Sequence, residues 1–249
     1  MITKSERYCT TPKVITECAE LRMGVMEYQE AWDLQQQLAA LRSDLAHDEC
    51  IPDTVLLLEH PHTYTLGRRS DPGDVLLSES ELGERGIALR WVDRGGQVTY
   101  HGPGQLVLYG IVDVRRVGGV ASYVCGLEEV VINTLARYGI TSDRKQDFPG
   151  VWIGEEKIAA VGVRVSRGIT THGFALNISP DLDYFRHIVP CGVRGKGVAS
   201  MESVLGENLV MAEVTEVVSR AWAEVFGFRM KHVRSPLQWF RKRAAMSLP

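Results

Sequence analysis

Apolar positions in the segment that starts at Tyr28 recur every three or four residues. They fall at Tyr28, Trp32, Leu38, Leu41 and Leu45. This spacing is typical of an amphipathic helix with one buried face. Longer apolar patterns at 119–139 and 209–227 each end at a glycine, the residue that most readily takes the left-handed conformation after a helix. The sequence therefore predicts three long helices.

The apolar runs between these predicted helices are shorter. Runs such as "DTVLLLEH" (53–60), "TYTLG" (63–67) and "IALRWV" (87–92) are bounded by proline and glycine, as strands are, and "LVLYGIVDV" indicates a buried strand. In 150–178, β-branched residues alternate around "GEE" and "SRG", which predicts two hairpin turns that join three antiparallel strands.

Mostly consecutive antiparallel strands, with helices between and after them, indicate the α+β class. We expect a mixed, mostly antiparallel sheet with helices packed against it. No change in composition marks a domain boundary before about residue 205, and a chain of 249 residues is long enough for one large core. A single catalytic or binding domain is therefore the expected organisation.

The charge balance does not alter the predicted fold class or domain organisation. Lys and Arg number 28 and Asp and Glu 31, a net charge of −3, so the chain lacks the overall basic charge of a nucleic-acid binder. No acidic residue follows Glu224, whereas six basic residues do, and this run is either a solvated tail or a docking surface for an acidic partner. The start of the chain has no apolar signal segment and the apolar runs are too short to span a bilayer, so we expect a cytoplasmic protein that binds no membrane.

The stretch "RGGQVTYHGPGQ" (94–105) places four glycines directly before a predicted strand. It is not a phosphate-binding loop, because it leads into a strand and lacks the Gly-Lys-Ser/Thr ending. Glycines here permit either a tight turn with a bulge or close approach of the backbone to a bound molecule. In the second case, Arg94 could hold an anionic or carbonyl group, and His101 could hydrogen-bond near it.

Cys191, in "IVPCGVRGKGVAS", lies between proline and glycine and is followed by Arg194 and Lys196. A lone cysteine is often an inert buried residue, but positive neighbours on an accessible loop favour the reactive thiolate. A thiolate needs a base or a cation, and the candidates are Lys157, His172 and His101. Each has an ordinary structural alternative: a solvated hairpin lysine, or a histidine satisfied within a strand.

Metal binding has little support in the sequence. The five cysteines contain no C-x-x-C pair, which argues against a structural zinc site. His60 and His62 have a spacing that could chelate, but Pro61 separates them and no paired carboxylate or thiol motif accompanies them. We expect no metal.

Three ordered motifs resemble one known family. "RGGQVTYHGPGQLVLYGIVDVRR" (94–116), "GVWIGEEKIAAVGVRVSRGITTHGFALNI" (150–178) and "FRHIVPCGV" (185–193) are similar to the octanoyl-acyl carrier protein:protein octanoyltransferases of lipoate biosynthesis. The resemblance implies a catalytic domain of the biotin and lipoate protein ligase type over residues 24–227. It leaves 1–23 as an N-terminal extension and 228–249 as a basic C-terminal tail.

The resemblance also implies an activity. An octanoyl group would move from acyl carrier protein to Cys191 as a thioester, and then to a lysine of a lipoyl domain or of the glycine-cleavage H protein, with Lys157 as the partner of Cys191 and with no ATP and no metal. The implied substrate contacts are Arg94, Gly95, Gly96, Gln97, Val98, Thr99, Tyr100, His101, Ala160, Val161, Gly162, Gly173, Phe174 and Ala175.

Two rival hypotheses predict different behaviour. An ATP-dependent lipoate or biotin ligase of the same fold would form an acyl-adenylate and would not need the cysteine, but the chain shows no "GRGRxGR"-like loop. A non-catalytic carrier-protein-binding module would keep the fold without the chemistry, and replacing Cys191 would then leave binding unchanged. Transfer without ATP and an acyl adduct on Cys191 separate these hypotheses from the octanoyltransferase.

Overall fold

The computed structural model describes residues 16–44, 52–146, 148–189 and 197–234. Its strands are β1 Thr16–Val25, β2 Asp53–Glu59, β3 Thr63–Leu66, β4 Ala88–Trp91, β5 Thr99–His101, β6 Gln105–Ile111, β7 Asp143–Lys145, β8 Phe148–Ile153, β9 Glu156–Ser166, β10 Ile169–Asn177, β11 Gly197–Val198 and β12 Phe228–His232. Its α-helices are α1 Tyr28–Asp44, α2 Glu79–Glu84, α3 Val120–Ala136, α4 Met201–Leu205 and α5 Met211–Phe226.

Most strands form one sheet, in the order β12-β1-β2-β6-β10-β9-β8-β7, with β11 alongside β9. Pairing is parallel where β1 meets β12 and β2, and where β11 meets β9; every other pair in this sheet is antiparallel. The predicted mixed, mostly antiparallel sheet is confirmed. A second, three-stranded sheet, β4-β3-β5, was not predicted: "TYTLG" and "IALRWV" pair with each other and not with the main sheet.

Helices cover both faces of the main sheet. Helices α3 and α5 pack on one face, and Gly126 lets them approach closely, because a Cβ there would lie 2.6 Å from the Phe226 ring. Helix α1 covers the other face through Ala31, Leu34 and Leu38. No helix in the described part of the chain is long and apolar enough to cross a membrane.

The three predicted helices are confirmed. Gly227 ends α5 in the left-handed conformation, with φ +67°, and its N–H donates to the carbonyl of Ala223. The predicted hairpins of 150–178 are β8, β9 and β10.

The main sheet extends on both sides of the predicted 24–227 domain, since β1 begins at Thr16 and β12 is its parallel partner. The predicted nucleophile Cys191 and the chain beyond residue 234 lie outside the described residues.

Candidate active site

A cavity of about 350 Å³ lies between the main sheet, the segment 94–101 and the start of α1. Small residues of two neighbouring strands form part of its wall. Ala160 is the register partner of Ala175, and Gly162 is the register partner of Gly173. Because these four residues carry short side chains or none, they leave a groove between β9 and β10. Apolar side chains of Val98, Val124, Phe148, Trp152, Val161, Val163, Phe174 and Phe185 complete much of the lining.

The segment 94–101 closes over this groove at one end. The N–H of Gly95 donates to the carbonyl of Val163 at 3.0 Å. A Cβ on Gly162 would lie 3.0 Å from the carbonyl oxygen of Gly95 and 3.2 Å from Cδ of Arg94, tighter than ordinary packing allows. Glycine at position 162 therefore lets the segment lie close to the sheet.

Arg94 is buried and fixes this segment. Its Nη2 donates to the carbonyl oxygen and the hydroxyl of Thr65, at 2.8 and 2.7 Å, and its Nη1 donates to the carbonyl of Gly95 at 3.1 Å. Arg94 lines the cavity as the sequence suggested, but at least three of its hydrogen bonds are made to protein oxygens. In this structure it acts first as a clamp between β3 and the segment.

The four glycines of 94–105 divide into two pairs. Gly95 and Gly96 line the cavity. Gly102 and Gly104 instead permit close packing within the protein: a Cβ at Gly102 would lie 1.9 Å from the Tyr100 hydroxyl, and Gly104 has φ +83° against the backbone of Ser179. Of the four glycines, only Gly95 and Gly96 therefore lie where the backbone borders the cavity.

All the described residues that the resemblance assigned to substrate contacts line the cavity except Tyr100. Alternate residues of a strand face opposite sides, so Tyr100 faces away from the cavity, unlike Thr99 and His101. The Tyr100 side chain is buried, with its hydroxyl 2.8 Å from Nδ1 of His62 and its ring stacked on Tyr184. It supports the small sheet.

His101 is buried at the cavity in a chain of amide hydrogen bonds. Gln105 donates through Nε2 to Tyr100 and Asn177, so its Oε1 accepts, and Nδ1 of His101, at 2.8 Å, must be the donor. Burial is the largest of the effects that hold the pKa of His101 well below its usual value. The imidazole is therefore neutral, with Nε2 as an acceptor beside the Thr65 hydroxyl, 3.4 Å away.

His60 and His62 are not arranged to share a metal. Nδ1 of His60 donates to the carbonyl of Met26 at 2.7 Å, and its Nε2 accepts from Tyr109 at 2.8 Å. Both ring nitrogens of His62 contact tyrosine hydroxyls. Across the described ranges, no cluster of three or more His, Cys, Asp or Glu side chains could hold a metal ion.

Lys157 lies at the partly exposed end of the cavity. Its Nζ donates to the carbonyl of Pro149 at 3.2 Å and lies 4.8 Å from the centre of the Trp152 ring. Burial raises the pKa of the neighbouring Glu128, although the N–H of Gly150 and the charges of Arg144 and Lys157 oppose this shift. The β8–β9 hairpin thus presents the ammonium to the cavity against an aromatic ring.

The chain on either side of the Cys191 segment is anchored. Before it, the N–H of Val189 donates to the carbonyl of Asp74 at 2.8 Å. After it, Val198 is the register partner of Lys157, and the N–H of Ala199 donates to the carbonyl of Lys157 at 3.1 Å. Residues 197–199, which follow the Cys191 segment in the chain, therefore lie beside Lys157.

His172 is buried at the other end of the cavity. It is one of two non-glycine residues with positive φ in the described chain, at +61°. Its ring Nε2 lies 2.8 Å from Oδ1 of Asp93, and its backbone N–H donates to Oε1 of Gln35 at 2.7 Å. The sequence analysis gave His172 as a candidate base for the thiolate, but it did not predict the positive φ of this residue.

Several polar or aromatic residues of the lining were not predicted from the sequence, among them Tyr28, Gln105, Trp152 and Asn177. Tyr28 is separated from the rest of the site along the chain, and only the fold brings it there. Gln105 and Asn177 had a signal, since polar residues in otherwise apolar buried strands require partners.

The fold is shared with solved lipoate protein ligases at low sequence identity. A bi-partite lipoate protein ligase from Thermoplasma acidophilum superposes with a TM-score of 0.69 at 17% identity, over 94% of this chain and 92% of that one. A lipoate-protein ligase A bound with ATP gives 0.68 at 15% identity, over 94% of both chains. The predicted fold class is thereby confirmed.

Sequence comparison identifies the family within this fold class. The chain belongs to the lipoyl protein ligase A/B catalytic domain family, whose model matches residues 27–223. Curated relatives named octanoyltransferase include one from Chloroflexus aurantiacus, 49% identical over 208 residues that cover 82% of this chain and 92% of the relative. Another, from Solibacter usitatus, is 47% identical over 214 residues, 86% of this chain and 94% of the relative. The resemblance inferred from the three motifs is confirmed.

Proposed function

We propose that this chain is an octanoyltransferase that moves an octanoyl group from acyl carrier protein to a lysine of a lipoyl domain or H protein, through a thioester on Cys191. The observation that carries the proposal is the position of Lys157, which lies in the cavity wall and pairs with the strand that follows the Cys191 segment. The names of its relatives support the octanoyl substrate.

In the first step, the Cys191 thiolate attacks the carbonyl carbon of the octanoyl thioester. A new C–S bond forms and the old C–S bond breaks, so the carrier arm leaves as a thiolate and takes up the proton that the Cys191 thiol released on ionising. The ammonium of Lys157 favours the thiolate and can donate a hydrogen bond to the carbonyl oxygen. Each unit by which it lowers the thiol pKa is worth about 1.4 kcal/mol.

In the second step, the ε-amine of the acceptor lysine attacks the enzyme thioester. A C–N bond forms, the C–S bond to Cys191 breaks, and one proton of the attacking amine leaves, so that the thiol or thiolate is regenerated. An amide is more stable than a thioester, so the transfer is downhill and requires no ATP. Covalent capture also divides an encounter of two protein substrates into two separate encounters.

The cavity suits a medium-length acyl chain. The Ala160–Ala175 and Gly162–Gly173 pairs leave room along the sheet, and apolar side chains surround it. Burial of each methylene is worth about 0.8 kcal/mol, so an eight-carbon chain gains substantial binding energy in such a groove. Ala160 and Ala175 would lie along the bound octanoyl chain.

The experiment that tests this function uses the full chain, octanoyl-loaded acyl carrier protein and an unmodified lipoyl domain, without ATP or added metal. The proposal predicts an octanoyl amide on the lipoyl domain and loss of transfer in Cys191→Ser. Transfer that requires ATP and free octanoate would favour a ligase. Carrier binding with no transfer under either condition would favour a non-catalytic module.

A further inference from the structure

One peptide bond of strand β8 contacts the ammonium of Lys157. Nζ of Lys157 donates to the carbonyl oxygen of Pro149 at 3.2 Å. The N–H of the same peptide group, which belongs to Gly150, donates to Oε1 of Glu128 at 2.9 Å. A single peptide group therefore links the carboxylate of Glu128 to the ammonium of Lys157.

Gly150 permits this orientation of the peptide group. Its φ is +127°, a value that other residues adopt only with strain. A Cβ at this position would also lie 2.4 Å from the carbonyl oxygen of Ala159 on β9. Because glycine restricts its own backbone so little, it does not by itself keep the Pro149 carbonyl pointed at Lys157. A contact that restrains the N–H of Gly150 also fixes the direction of that carbonyl.

Glu128 supplies this contact from helix α3, which packs on β8 and β9. Its side chain is buried, and its Oε2 lies 3.2 Å from Nε of Arg144 on β7. Arg144 is itself held by Glu129 and by the carbonyl of Cys125. Both carboxylate oxygens of Glu128 therefore have partners, and the position of the carboxylate is set by α3 and β7 together.

The charges strengthen this chain of hydrogen bonds. A carboxylate that accepts from an N–H polarises the peptide group, so the carbonyl oxygen becomes a better acceptor for an ammonium. The positive charge of Lys157 is among the effects that favour the ionised form of Glu128, which shows that the two groups interact. Glu128 does not line the cavity, so it acts on the reaction through the residues that it holds.

We propose that Glu128 is a positioning residue for acyl transfer, which fixes the Pro149–Gly150 peptide so that the Pro149 carbonyl holds the Lys157 ammonium at the cavity. The proposal rests on the proposed function for the role of Lys157 at the reacting thioester. Loss of Glu128 should lower kcat and leave KM for the acylated carrier almost unchanged, because the cation is displaced while the cavity wall stays in place.

The test is a double-mutant cycle on octanoyl transfer from loaded acyl carrier protein. Glu128→Leu, which removes the acceptor, should lower kcat by about 30-fold with KM within about threefold of the wild type. In the Lys157→Ala background, the same change should cost less than about threefold, because no ammonium is left to position. A merely structural role of Glu128 would lower transfer equally in both backgrounds.

Two further variants separate the contact from the rest of the cluster. Glu128→Gln keeps an acceptor for the Gly150 N–H and should lose only about three- to tenfold in kcat, again only where Lys157 is present. Glu129→Gln is the matched control, since Glu129 is the neighbouring acidic partner of Arg144. It should retain transfer within about twofold.

A labelling experiment measures the position of Lys157 without the reaction. Trace acetic anhydride should modify Lys157 about threefold faster or more in Glu128→Leu than in the wild type, because a hydrogen bond that restrains the ammonium is lost. Lys145, which pairs with Glu155, should react at the same rate in both proteins. Mass spectrometry after proteolysis quantifies both lysines.

Equal losses of transfer from Glu128→Leu with and without Lys157 would overturn the proposal, as would a loss confined to KM or an unchanged labelling rate of Lys157. If Glu128→Leu does not fold, the same cycle with Glu128→Gln decides. If the wild type transfers no octanoyl group, the proposed function fails, and the labelling rates alone then decide whether Glu128 holds Lys157.

Discussion

Lys157 is the parallel register partner of Val198, and its carbonyl accepts a hydrogen bond from the N–H of Ala199. Cys191 precedes Gly197 by six residues, a reach of at most roughly 20 Å of chain. The lysine therefore lies beside the first described residues that follow the cysteine in the chain. This relationship is the structural support for a cysteine–lysine pair.

Lys157→Ala should lower octanoyl transfer by about 10²–10⁴-fold, because the positioned ammonium is lost from the reacting thioester. Lys145 supplies a matched control, since its Nζ also lies over Trp152, 5.0 Å from the ring centre, but pairs with the exposed Glu155. Lys145→Ala should retain transfer within about threefold. Steady-state transfer rates with octanoyl-loaded carrier compare the two variants. If both variants lose the same fraction of the rate, the contact that both lysines make with Trp152 explains the loss, and Lys157 has no separate role in the reaction.

Ala160→Leu should fill the groove between β9 and β10 and shorten the chain that fits. Octanoyl transfer should fall by at least tenfold, whereas butyryl transfer should fall much less, because a short chain stops before the new side chain. The ratio of kcat/KM for octanoyl and butyryl carrier measures this selectivity. Parallel losses for both chains would place the acyl group elsewhere.

Arg94→Lys should loosen the segment that covers the cavity, since lysine cannot reproduce the fork of hydrogen bonds to Thr65 and Gly95. We expect a loss of about 1–3 kcal/mol in the free energy of unfolding and a raised KM for the acylated carrier. Arg90→Lys is the control, because Arg90 is exposed and bonds only to the adjacent carbonyl of Leu89 in the described structure. Urea unfolding and kinetics check both, and a stable Arg94→Lys would contradict the clamp.

The contribution of His60 to stability should depend on pH. Burial lowers its pKa from 6.5 to about 4 in the folded protein. Below about pH 6.5, the unfolded chain binds the proton more readily than the folded one, so acid weakens the fold by about 1.4 kcal/mol per pH unit. The stability advantage of the wild type over His60→Gln should therefore shrink by about 2 kcal/mol between pH 7 and pH 5. Urea unfolding at both values tests this, and a constant gap would contradict it.

The sequence predicted the parts of the fold that local patterns encode. Helices α1, α3 and α5 have clear periodicity, and the β8–β9–β10 hairpins have turn residues between alternating strands. Strand β1 was missed because its pairing partner β12 comes from the opposite end of the chain. The small sheet was missed because short strands do not reveal which sheet they join.

The candidate site was likewise predicted only in part. Lys157, Gly162 and the 94–101 segment were predicted as site residues from the motifs, and all three lie at the cavity. Tyr28 was found only in the structure, since the packing of α1 against the sheet brings its hydroxyl to the cavity. Tyr100 was assigned with its neighbours, although strand alternation turns it to the other side.

The most direct test of the mechanism is mass spectrometry of the intact protein after brief exposure to octanoyl-loaded acyl carrier protein without an acceptor. The account predicts a mass increase of one octanoyl group, located on Cys191 after proteolysis and removed by hydroxylamine. The same adduct should form in Cys9→Ser and be absent in Cys191→Ser. An unmodified protein that still transfers octanoyl groups, or an adduct on another residue, would contradict the account.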